Sequence, residues 1–264
     1  MPFTVAHIAA ALPFRKTRFR ISAVVIGTMA PDFEYFLRLA PQGRFGHTPA
    51  GLVTFTLPVA LAVLWLFHKT VKWALVKLAH VCIQQRIEGD WGDFRFGDAT
   101  QFAMIVVAIL AGASTHVVWD SFTHYEGWPV EHWALLRKTV TIPWLRPYPL
   151  YVFKVLQHVS TVVGMGILAI WFTGWFRRTK PARTLDSQLS PGSRLRIVLS
   201  LLLLAFCGAL LRIALLRPQS QNSVVSDLGV FSVTSMALLW WQLVLLGTWW
   251  RHRKIFSRCS SRTA

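Results

Sequence analysis

The stretch AGASTHVVWDSFTHYEG, residues 111–127, carries three polar side chains at intervals of four: His116, Asp120 and His124. In an α-helix, positions i, i+4 and i+8 lie on one face, within an arc of about 80°. Imidazole nitrogens and carboxylate oxygens on one face are suited to bind a divalent metal ion or to transfer protons. A structural hydrogen-bond network, satisfied by neighbouring Ser and Thr hydroxyls, is the alternative interpretation of this stripe.

The composition predicts that the elements around this stripe lie in a membrane. Of 264 residues, 54% are hydrophobic and 13 are tryptophan, which is too apolar for an ordinary soluble domain of this length. The net charge of +17 arises from Lys and Arg in short clusters between apolar runs, which favours anchors beside a membrane over a nucleic-acid-binding face. We therefore expect membrane lipid as a partner and no nucleic acid. The three widely spaced cysteines predict neither a disulfide framework nor a Cys-based zinc site.

Five stretches are long enough and apolar enough to cross a bilayer core of about 30 Å, which takes about 20 residues. They are residues 51–67, 101–119, 155–176, 195–216 and 229–250. Residues 21–39 contain Pro31, Asp32 and Glu34, and we interpret them as a buried or re-entrant helix pair broken at Pro31. The predicted fold class is all-α, a polytopic membrane helical bundle with about five transmembrane helices.

Charge and composition divide the chain into three predicted regions. Residues 1–176 form a membrane-embedded metal-site domain, 177–196 a basic cytoplasmic linker, and 197–264 a C-terminal two-helix membrane segment with a basic tail. The N-terminal charges follow a short apolar stretch, the reverse of a secretory signal, so we expect this segment to be retained.

Loop charges predict the orientation. The linker holds six Lys and Arg against one Asp, and the tail from Arg251 holds five and no acid, so both are expected in the cytoplasm. Counting spans backwards places residues 120–154 and the N-terminal segment outside, in a multi-pass protein of the inner membrane. The four basic residues between positions 15 and 20 would then lie outside, against the rule, and a cytoplasmic location for them would remove one span.

This topology brings the candidate ligands to the outer membrane face. Six of them lie at outer span ends or in the N-terminal segment: His7, Asp32, His47, His116, Asp120 and His158. Ionisable groups at membrane depth usually face the protein interior and mark function. Imidazole and carboxylate ligands suit zinc, manganese or iron, and more than four ligands could hold two ions that share an aspartate. The remaining histidines are predicted to be structural: His68, His80, His132 and His252.

The segments MPFTVAHIAAALP, IGTMAPDFEYFLRL, GHTPAGL, GASTHVVWDSFTH and LQHVSTVVG occur in order over about residues 1–170. They resemble the DUF4184 family of bacterial membrane proteins of unknown function. A looser pattern, His, then Pro-Asp, then His, then His-x-x-x-Asp, is similar to the membrane-bound metal-dependent hydrolase family. Beyond that family, the same pattern resembles the zinc-dependent phospholipase C and nuclease superfamily.

The resemblance implies a ligand set and a catalytic residue. Seven residues take the positions of metal ligands: His7, Asp32, His47, His116, Asp120, His124 and His158. Asp120 is the implied general base, directly or through a water that it holds. The implied cofactor is a divalent transition metal, with zinc favoured, at one to two ions. Val162 stands where the zinc phospholipases have a Glu ligand four residues after a late His, and Met1 stands where they have a Trp ligand.

The predicted function is a membrane-bound metal-dependent hydrolase acting on a phosphoester or lipid-linked substrate at the outer membrane interface. A non-catalytic metal-binding or transport protein is the first alternative, and a scaffold with a structural polar network is the second. A transporter should place its ligands at the bilayer midplane on discontinuous helices, whereas these residues lie at one interface. That placement favours the enzyme.

The loop over residues 120–154 is predicted to lie at the level of the lipid headgroups. Its aromatic residues are suited to that depth: Trp128, Trp133, Trp144, Tyr148 and Tyr151. Its cations, Arg137, Lys138 and Arg146, could attract an anionic headgroup or act as ordinary snorkelling side chains.

Overall fold

In a computed structural model of the chain, the described residues are 3–87, 94–140, 150–181, 189–216 and 224–260, and most of them are helical. The chain begins with short elements. In order these are a 3₁₀ helix over Thr4–Lys16, α1 over Ile21–Gly27, a 3₁₀ turn over Ala30–Asp32, α2 over Phe33–Arg38 and a 3₁₀ turn over Phe45–His47. The predicted break at Pro31 is thus the 3₁₀ turn between α1 and α2.

Helix α3 spans Pro49–Leu78. Its α-helical parts are Pro49–Gly51, Leu57–Leu66 and Lys72–Leu78, and π-helical turns cover Leu52–Thr56 and Phe67–Val71. The predicted span ended at Phe67, so the helix continues further than the hydropathy of the sequence indicated. The helix continues because five of the seven residues in KWALVKL are apolar. The two lysines are compatible with this, since their aliphatic stems can lie along an apolar surface while their charged ends stay outside it.

The remaining elements follow in chain order. They are α4 over Val81–Gln84, α5 over Ala99–Ser121, α6 over Trp128–His132, β1 over Thr139–Val140, β2 over Leu150–Tyr151, α7 over Val152–Arg178, α8 over Pro191–Leu216 and α9 over Val224–Ser260. Strands β1 and β2 form a two-stranded antiparallel sheet in which Thr139 lies opposite Tyr151.

Five helices among the described residues are long and apolar enough to cross a membrane. Their bounds are Pro49–Leu78, Ala99–Ser121, Val152–Arg178, Pro191–Leu215 and Asp227–His252. Each contains or closely matches one of the five predicted stretches, so the prediction of an all-α, polytopic membrane bundle is confirmed. Several residues named from the sequence lie outside the described residues: Trp144, Arg146, Tyr148 and the linker positions 182–188.

The chain forms two compact units. The first comprises Met1–Phe33, Arg44–Leu61 and Phe96–Trp175, and the second comprises Glu34–Gly43, Ala62–Arg95 and Phe176–Ala264. All seven predicted ligands come from the three stretches of the first unit, and His158 is the one that lies on α7.

Close backbone packing between α1 and α5 defines the centre of the first unit. A Cβ atom on Gly27 would overlap the carbonyl group of Ile109, and one on Gly112 would overlap the Val24 carbonyl and lie 2.8 Å from the Thr28 amide nitrogen. Only glycine permits these helices to approach so closely at both positions. The approach brings the end of α1 beside the polar half of α5.

In the second unit, α9 packs against α8 and against the C-terminal half of α3. A Cβ atom on Gly247 would overlap the backbone of Thr70, so α9 and α3 also approach closely. The Arg251 guanidinium donates a hydrogen bond to the Lys69 carbonyl at 3.1 Å.

Candidate metal centre

Helix α5 supplies the two central residues of the site. His116 and Asp120 lie one turn apart on its buried face, and the His116 side chain is fully buried. The His116 Nδ1–H donates to the Thr28 carbonyl at 2.8 Å, because a carbonyl can only accept. In the neutral ring, Nε2 then carries the lone pair, which is the form of imidazole that binds metal, with the other nitrogen held by a backbone carbonyl.

Asp32 ends the 3₁₀ turn Ala30–Asp32, and Pro31 fixes the backbone just before it. The Thr4 hydroxyl donates to Asp32 Oδ2 at 2.7 Å. This bond leaves Asp32 Oδ1 facing His47 Nε2 and His116 Nε2, each at 3.4 Å.

His47 ends the 3₁₀ turn Phe45–His47, directly before α3. Its position depends on Gly46, because a Cβ atom there would lie 2.5 Å from the Pro31 carbonyl oxygen. The Gly46 carbonyl accepts a hydrogen bond from the buried Thr56 hydroxyl at 3.0 Å. The turn is thereby fixed against both the segment of Asp32 and the first turns of α3.

The side chains of Asp32, His47, His116 and Asp120 each present one ligand atom, and these four atoms lie within 4.8 Å of one another. The two Nε2 atoms are 3.3 Å apart. Asp120 Oδ2 lies 3.3 Å from His116 Nε2 and 3.7 Å from His47 Nε2. With the two contacts of Asp32, five of the six edges of this four-atom group measure between 3.3 and 3.7 Å.

These edges match the ligand shell of a tetrahedral metal ion. A shell with metal–nitrogen and metal–oxygen distances of about 2.0–2.2 Å has edges of about 3.3–3.6 Å. Asp32 Oδ1 and both oxygens of Asp120 are buried and have no hydrogen-bond partner, although histidine nitrogens lie within 3.7 Å of them. A buried carboxylate oxygen without a hydrogen bond is costly, and a shared cation satisfies it.

The charge of the group also fits a divalent ion. No Lys or Arg side chain forms an ion pair with Asp32 or Asp120 in the part of the chain that the structure describes. Two ionised carboxylates with two neutral imidazoles need two positive charges, which one divalent cation supplies. Oxygen and imidazole ligands suit Zn, Mn or Fe(II). The distances between the ligand atoms, their missing hydrogen-bond partners and their charge thus all fit a bound divalent ion.

Two of the ligands lie outside the spans, and their pKa values describe the group without a metal ion. Burial would raise the pKa of Asp32, but the charge of His116 and its contacts with His116 and His47 lower that pKa to about 2. Burial would lower the pKa of His47, but its contacts with Asp120 and Asp32 raise it above the ordinary value. Asp32 is therefore ionised at neutral pH and available as a ligand, whereas the raised pKa favours protonated His47, whose proton a divalent ion would displace.

His7 lies against the four-atom group from the N-terminal 3₁₀ helix. Its ring stacks on that of His116, with 3.9 Å between centroids, and its Nε2 lies 3.4 Å from Asp120 Oδ1. Neither of those two atoms has a hydrogen-bond partner. Gly164 of α7 permits this placement, since a Cβ atom there would lie 2.8 Å from the Ala6 carbonyl oxygen.

His124 lies just beyond the end of α5, at the edge of the group. Its Nδ1–H donates to the backbone carbonyl of Asp120 at 2.8 Å, and the same nitrogen is 3.7 Å from Asp120 Oδ2. Burial lowers the pKa of His124 despite the opposing charge of Asp120, and the charge of Lys154 lowers it further. Its side chain is 34% exposed and that of His47 is 20% exposed, so these two form the open edge of the site.

His158 is not brought into the four-atom group. It is exposed on α7, whereas the adjacent Gln157 is buried and accepts a hydrogen bond from Lys154 at 2.9 Å. Neighbouring positions on a helix point about 100° apart, so burying Gln157 turns His158 away from the same surface. Its role as a ligand stays a prediction.

Two residues that support the ligands were not identified from the sequence. The Thr4 hydroxyl orients Asp32 and the Thr28 carbonyl orients His116. Thr4 lies three positions before His7, and a hydroxyl so close to a candidate ligand was the one available signal. The contribution of Thr28 is a backbone atom, which any residue type supplies, so no sequence signal could reveal it.

No curated protein and no solved structure gives a match to this chain. A family model does match it, over residues 1–248, with the description "Domain of unknown function (DUF4184)". The match includes all five candidate spans except the last residues of the fifth, together with every residue of the His/Asp group. The chain therefore belongs to the DUF4184 family.

Proposed function

We propose that this protein is a membrane-bound metal-dependent hydrolase. The observation that carries the proposal is the group formed by Asp32, His47, His116 and Asp120, whose ligand atoms lie within 4.8 Å of one another. They come from three separated segments that glycine contacts and oriented hydrogen bonds hold together. The more distant resemblance to metal-dependent hydrolases and zinc phospholipases agrees with this interpretation.

A divalent cation held by these four residues would supply a Lewis acid for a phosphoryl or acyl oxygen and would acidify a nearby water. The chain itself keeps His116 in the tautomer that presents Nε2, and it keeps the carboxylates oriented and dry. Zinc is the proposed ion because imidazole and carboxylate atoms at these separations fit its tetrahedral shell.

Asp120 is the proposed catalytic residue because its two oxygens have different surroundings. Oδ2 lies against His47 and His116, while Oδ1 lies against His7. With Oδ2 acting as a ligand, Oδ1 would orient the attacking water and accept its proton. His7 Nε2 and Asp120 Oδ1 also provide two atoms beyond the four of the first ion, which supports a total of one to two ions.

The proposed substrate is a phosphoester or lipid-linked compound presented at the membrane interface. The segment between α5 and α7 exposes aromatic side chains, including Tyr125, Trp128 and Trp133. Aromatic residues of this kind concentrate at the headgroup level of membrane proteins. Positive charge in the linker and the C-terminal tail supports an outward-facing site in the inner membrane.

A tag experiment tests the orientation. A reporter inserted after residue 134 should report outside the cytoplasm, and reporters at residue 185 and at the C-terminus should report inside. A cytoplasmic signal from residue 134 would contradict the outward-facing site.

A non-catalytic metal-binding protein is the second candidate, and one observation favours it. Four protein ligands complete a tetrahedral shell, as in structural zinc sites, whereas catalytic zinc sites keep an open position. Against this, a purely structural site would not need the buried, unbonded His7 Nε2 beside Asp120. Coordination beyond four, or a second ion, would reconcile the closed shell with catalysis.

Metal analysis followed by assay separates the candidates. Detergent-purified protein should contain one to two transition-metal ions per chain. Hydrolysis of phospholipids and lipid-linked phosphates in mixed micelles should be lost on chelation, restored by metal, and lowered about 10²-fold or more in Asp120→Asn. Turnover that survives both chelation and Asp120→Asn would refute the hydrolase. Metal-loaded protein that is inactive on the whole panel would support the second candidate.

A further inference from the structure

Three cations converge on the open edge of the metal centre. The residues at that edge are consecutive: His124, Tyr125 and Glu126. One cation contacts Glu126, a second contacts the Tyr125 ring, and a third contacts the Phe153 ring that lies beside Tyr125. In that order they are Arg44 from the turn before α3, Arg137 from the turn after α6 and Lys154 from the first turn of α7. We call these three cations the cationic rim.

The contacts differ in kind. The Arg44 Nη2 donates to Glu126 Oε1 at 2.6 Å, and the Arg137 guanidinium lies 5.5 Å from the centroid of the Tyr125 ring. The ammonium of Lys154 lies 5.5 Å from the centroid of the Phe153 ring, which is itself 6.3 Å from the Tyr125 ring, and it donates to Gln157 Oε1. Arg44 is three residues before His47, and Tyr125 and Glu126 directly follow His124, so the rim lies beside the two partly exposed residues of the centre.

The rim carries more positive charge than its one acidic partner balances. Glu126 contacts Arg44 through one guanidinium nitrogen, and the side chains of the two are 62% and 83% exposed. Exposed ion pairs of this kind contribute about 0–1 kcal/mol, so an incoming anion can replace Glu126 at little cost. Guanidinium groups bind phosphate oxygens through two parallel hydrogen bonds, and an ammonium adds a point charge.

We propose that the cationic rim binds the phosphate group of the substrate at the mouth of the metal centre, with Arg44 exchanging Glu126 for a phosphate oxygen. The inference rests on the proposed hydrolase function and makes it more specific. The substrate class becomes an anionic phosphate ester. Glu126 then competes with the phosphate for Arg44, and Glu126 holds the Arg44 guanidinium in place until substrate arrives.

The structure provides a discriminating pair of variants. If Arg44 and Glu126 served only to brace two loops, Arg44→Gln and Glu126→Gln would have the same effect on binding. Under the proposal the effects are opposite, because Arg44→Gln removes a phosphate ligand and Glu126→Gln removes its competitor. Arg15→Gln is the matched control, since Arg15 is also a cation over an aromatic ring, at 5.1 Å from the Trp171 centroid, near the other end of α7.

Binding is measured on purified full-length protein with two probes. Inorganic phosphate tests the free ion by calorimetry, and phosphatidate in phosphatidylcholine micelles tests the lipid headgroup by tryptophan fluorescence. We expect Arg44→Gln, Arg137→Gln and Lys154→Gln each to raise the Kd about 3–10-fold, and the triple variant at least about 30-fold. Glu126→Gln should lower it about 2–5-fold, and Arg15→Gln should leave it unchanged.

Metal content and thermal stability are measured on every sample, so that the two proposals fail separately. A triple variant that binds both probes as Arg15→Gln does, or wild type that binds neither, would overturn the rim. Equal effects of Arg44→Gln and Glu126→Gln would also overturn it. Rim-dependent binding by protein without metal would support the rim and contradict the hydrolase. A rim effect on phosphatidate alone assigns the site to a lipid headgroup, and an equal effect on both probes assigns it to phosphate in general.

Discussion

Helix α5 and the C-terminal helix pair α8–α9 both cross the membrane by composition, and both contain buried polar side chains, but the arrangement of those side chains differs. In α5, His116 and Asp120 meet polar atoms from the segments of Asp32 and His47 within 3.7 Å. In α9, the buried Ser235 hydroxyl and the Gln242 amide oxygen have no hydrogen-bond partner among the described residues. A buried polar atom therefore indicates a site only where others converge on it.

Packing explains the difference. In the most apolar stretch of α5, 33% of the residues are buried, against 11% in α8. The buried face of α5 repeats at intervals of three and four and ends in its two polar residues: Ile105, Ala108, Ile109, Gly112, Ala113, His116 and Asp120. In α8 the fully buried positions are Ala205 and Ala209, and its large apolar side chains are exposed as for contact with lipid. Polar ligands can converge only on a helix that other segments enclose.

The largest expected effect is on metal binding. His116→Ala removes a ligand whose nitrogen forms three of the edges of the four-atom group, so metal affinity should fall at least about 100-fold. Gln242→Ala, which removes a buried amide oxygen from α9, is the matched control and should leave the metal content unchanged. Elemental analysis of both purified variants against wild type measures this. Normal metal content in His116→Ala would show that the convergence is a structural network.

A smaller effect on metal binding is expected when the space between α1 and α5 is filled. Gly112→Ala forces a methyl group against the backbone of Val24 and Thr28, so it should lower the free energy of unfolding by about 1–3 kcal/mol. It should also lower metal affinity, because Thr28 holds His116. Gly208→Ala in α8 is the control, since its nearest atom is the flexible end of Leu238, at 2.6 Å from the added Cβ.

Thermal unfolding in detergent, with and without added metal, compares the two glycine variants. Gly208→Ala should unfold within a degree or two of wild type. If Gly112→Ala were equally stable and kept its metal, the close approach of α1 to α5 would not be what positions His116.

Removing the Thr4 hydroxyl that orients Asp32 should have a still smaller effect on metal affinity. Thr4→Val keeps the side-chain shape but removes the donor to Asp32 Oδ2, so metal affinity should fall about 10-fold, as for other residues that orient ligands. Thr248→Val in α9 is the control, because its hydroxyl donates only to the Val244 carbonyl of its own helix. Competition with a fluorescent metal chelator measures both. Equal affinities for these two variants would exclude an orienting role for Thr4.

The parts of the site that follow local rules could be predicted from the sequence. The i, i+4 spacing placed His116 and Asp120 on one face of a helix, and the break at Pro31 marked the turn that carries Asp32. The five spans followed from apolar length alone, and only the end of α3 was wrong, because Lys and His near a helix end do not terminate it.

The parts that depend on tertiary contact could not be predicted. Gln157 and His158 are adjacent polar residues in an apolar helix, and hydropathy gives no reason to bury one and expose the other. The different surroundings of the two oxygens of Asp120 likewise arise from three segments that are distant in sequence. The resemblance identified the segments, but the geometry was needed to select four residues from the seven predicted ligands.

The smallest expected effect distinguishes a ligand from a neighbour of a ligand. His124 and His132 make the same local bond, since each donates its Nδ1–H to a backbone carbonyl four residues earlier at 2.8 Å. They differ in what lies beyond that bond. His124 also approaches Asp120 Oδ2 at 3.7 Å, whereas His132 is exposed and stacks on Trp128.

Because His124 lies outside the four-atom group, His124→Gln should lower metal affinity only about 3–10-fold. His132→Gln should leave it unchanged, which controls for the loss of the shared backbone bond. A loss as large as that of His116→Ala would instead make His124 a ligand in its own right, as the stripe of His116, Asp120 and His124 first indicated. The centre would then extend beyond the enclosed face of α5 to its open edge.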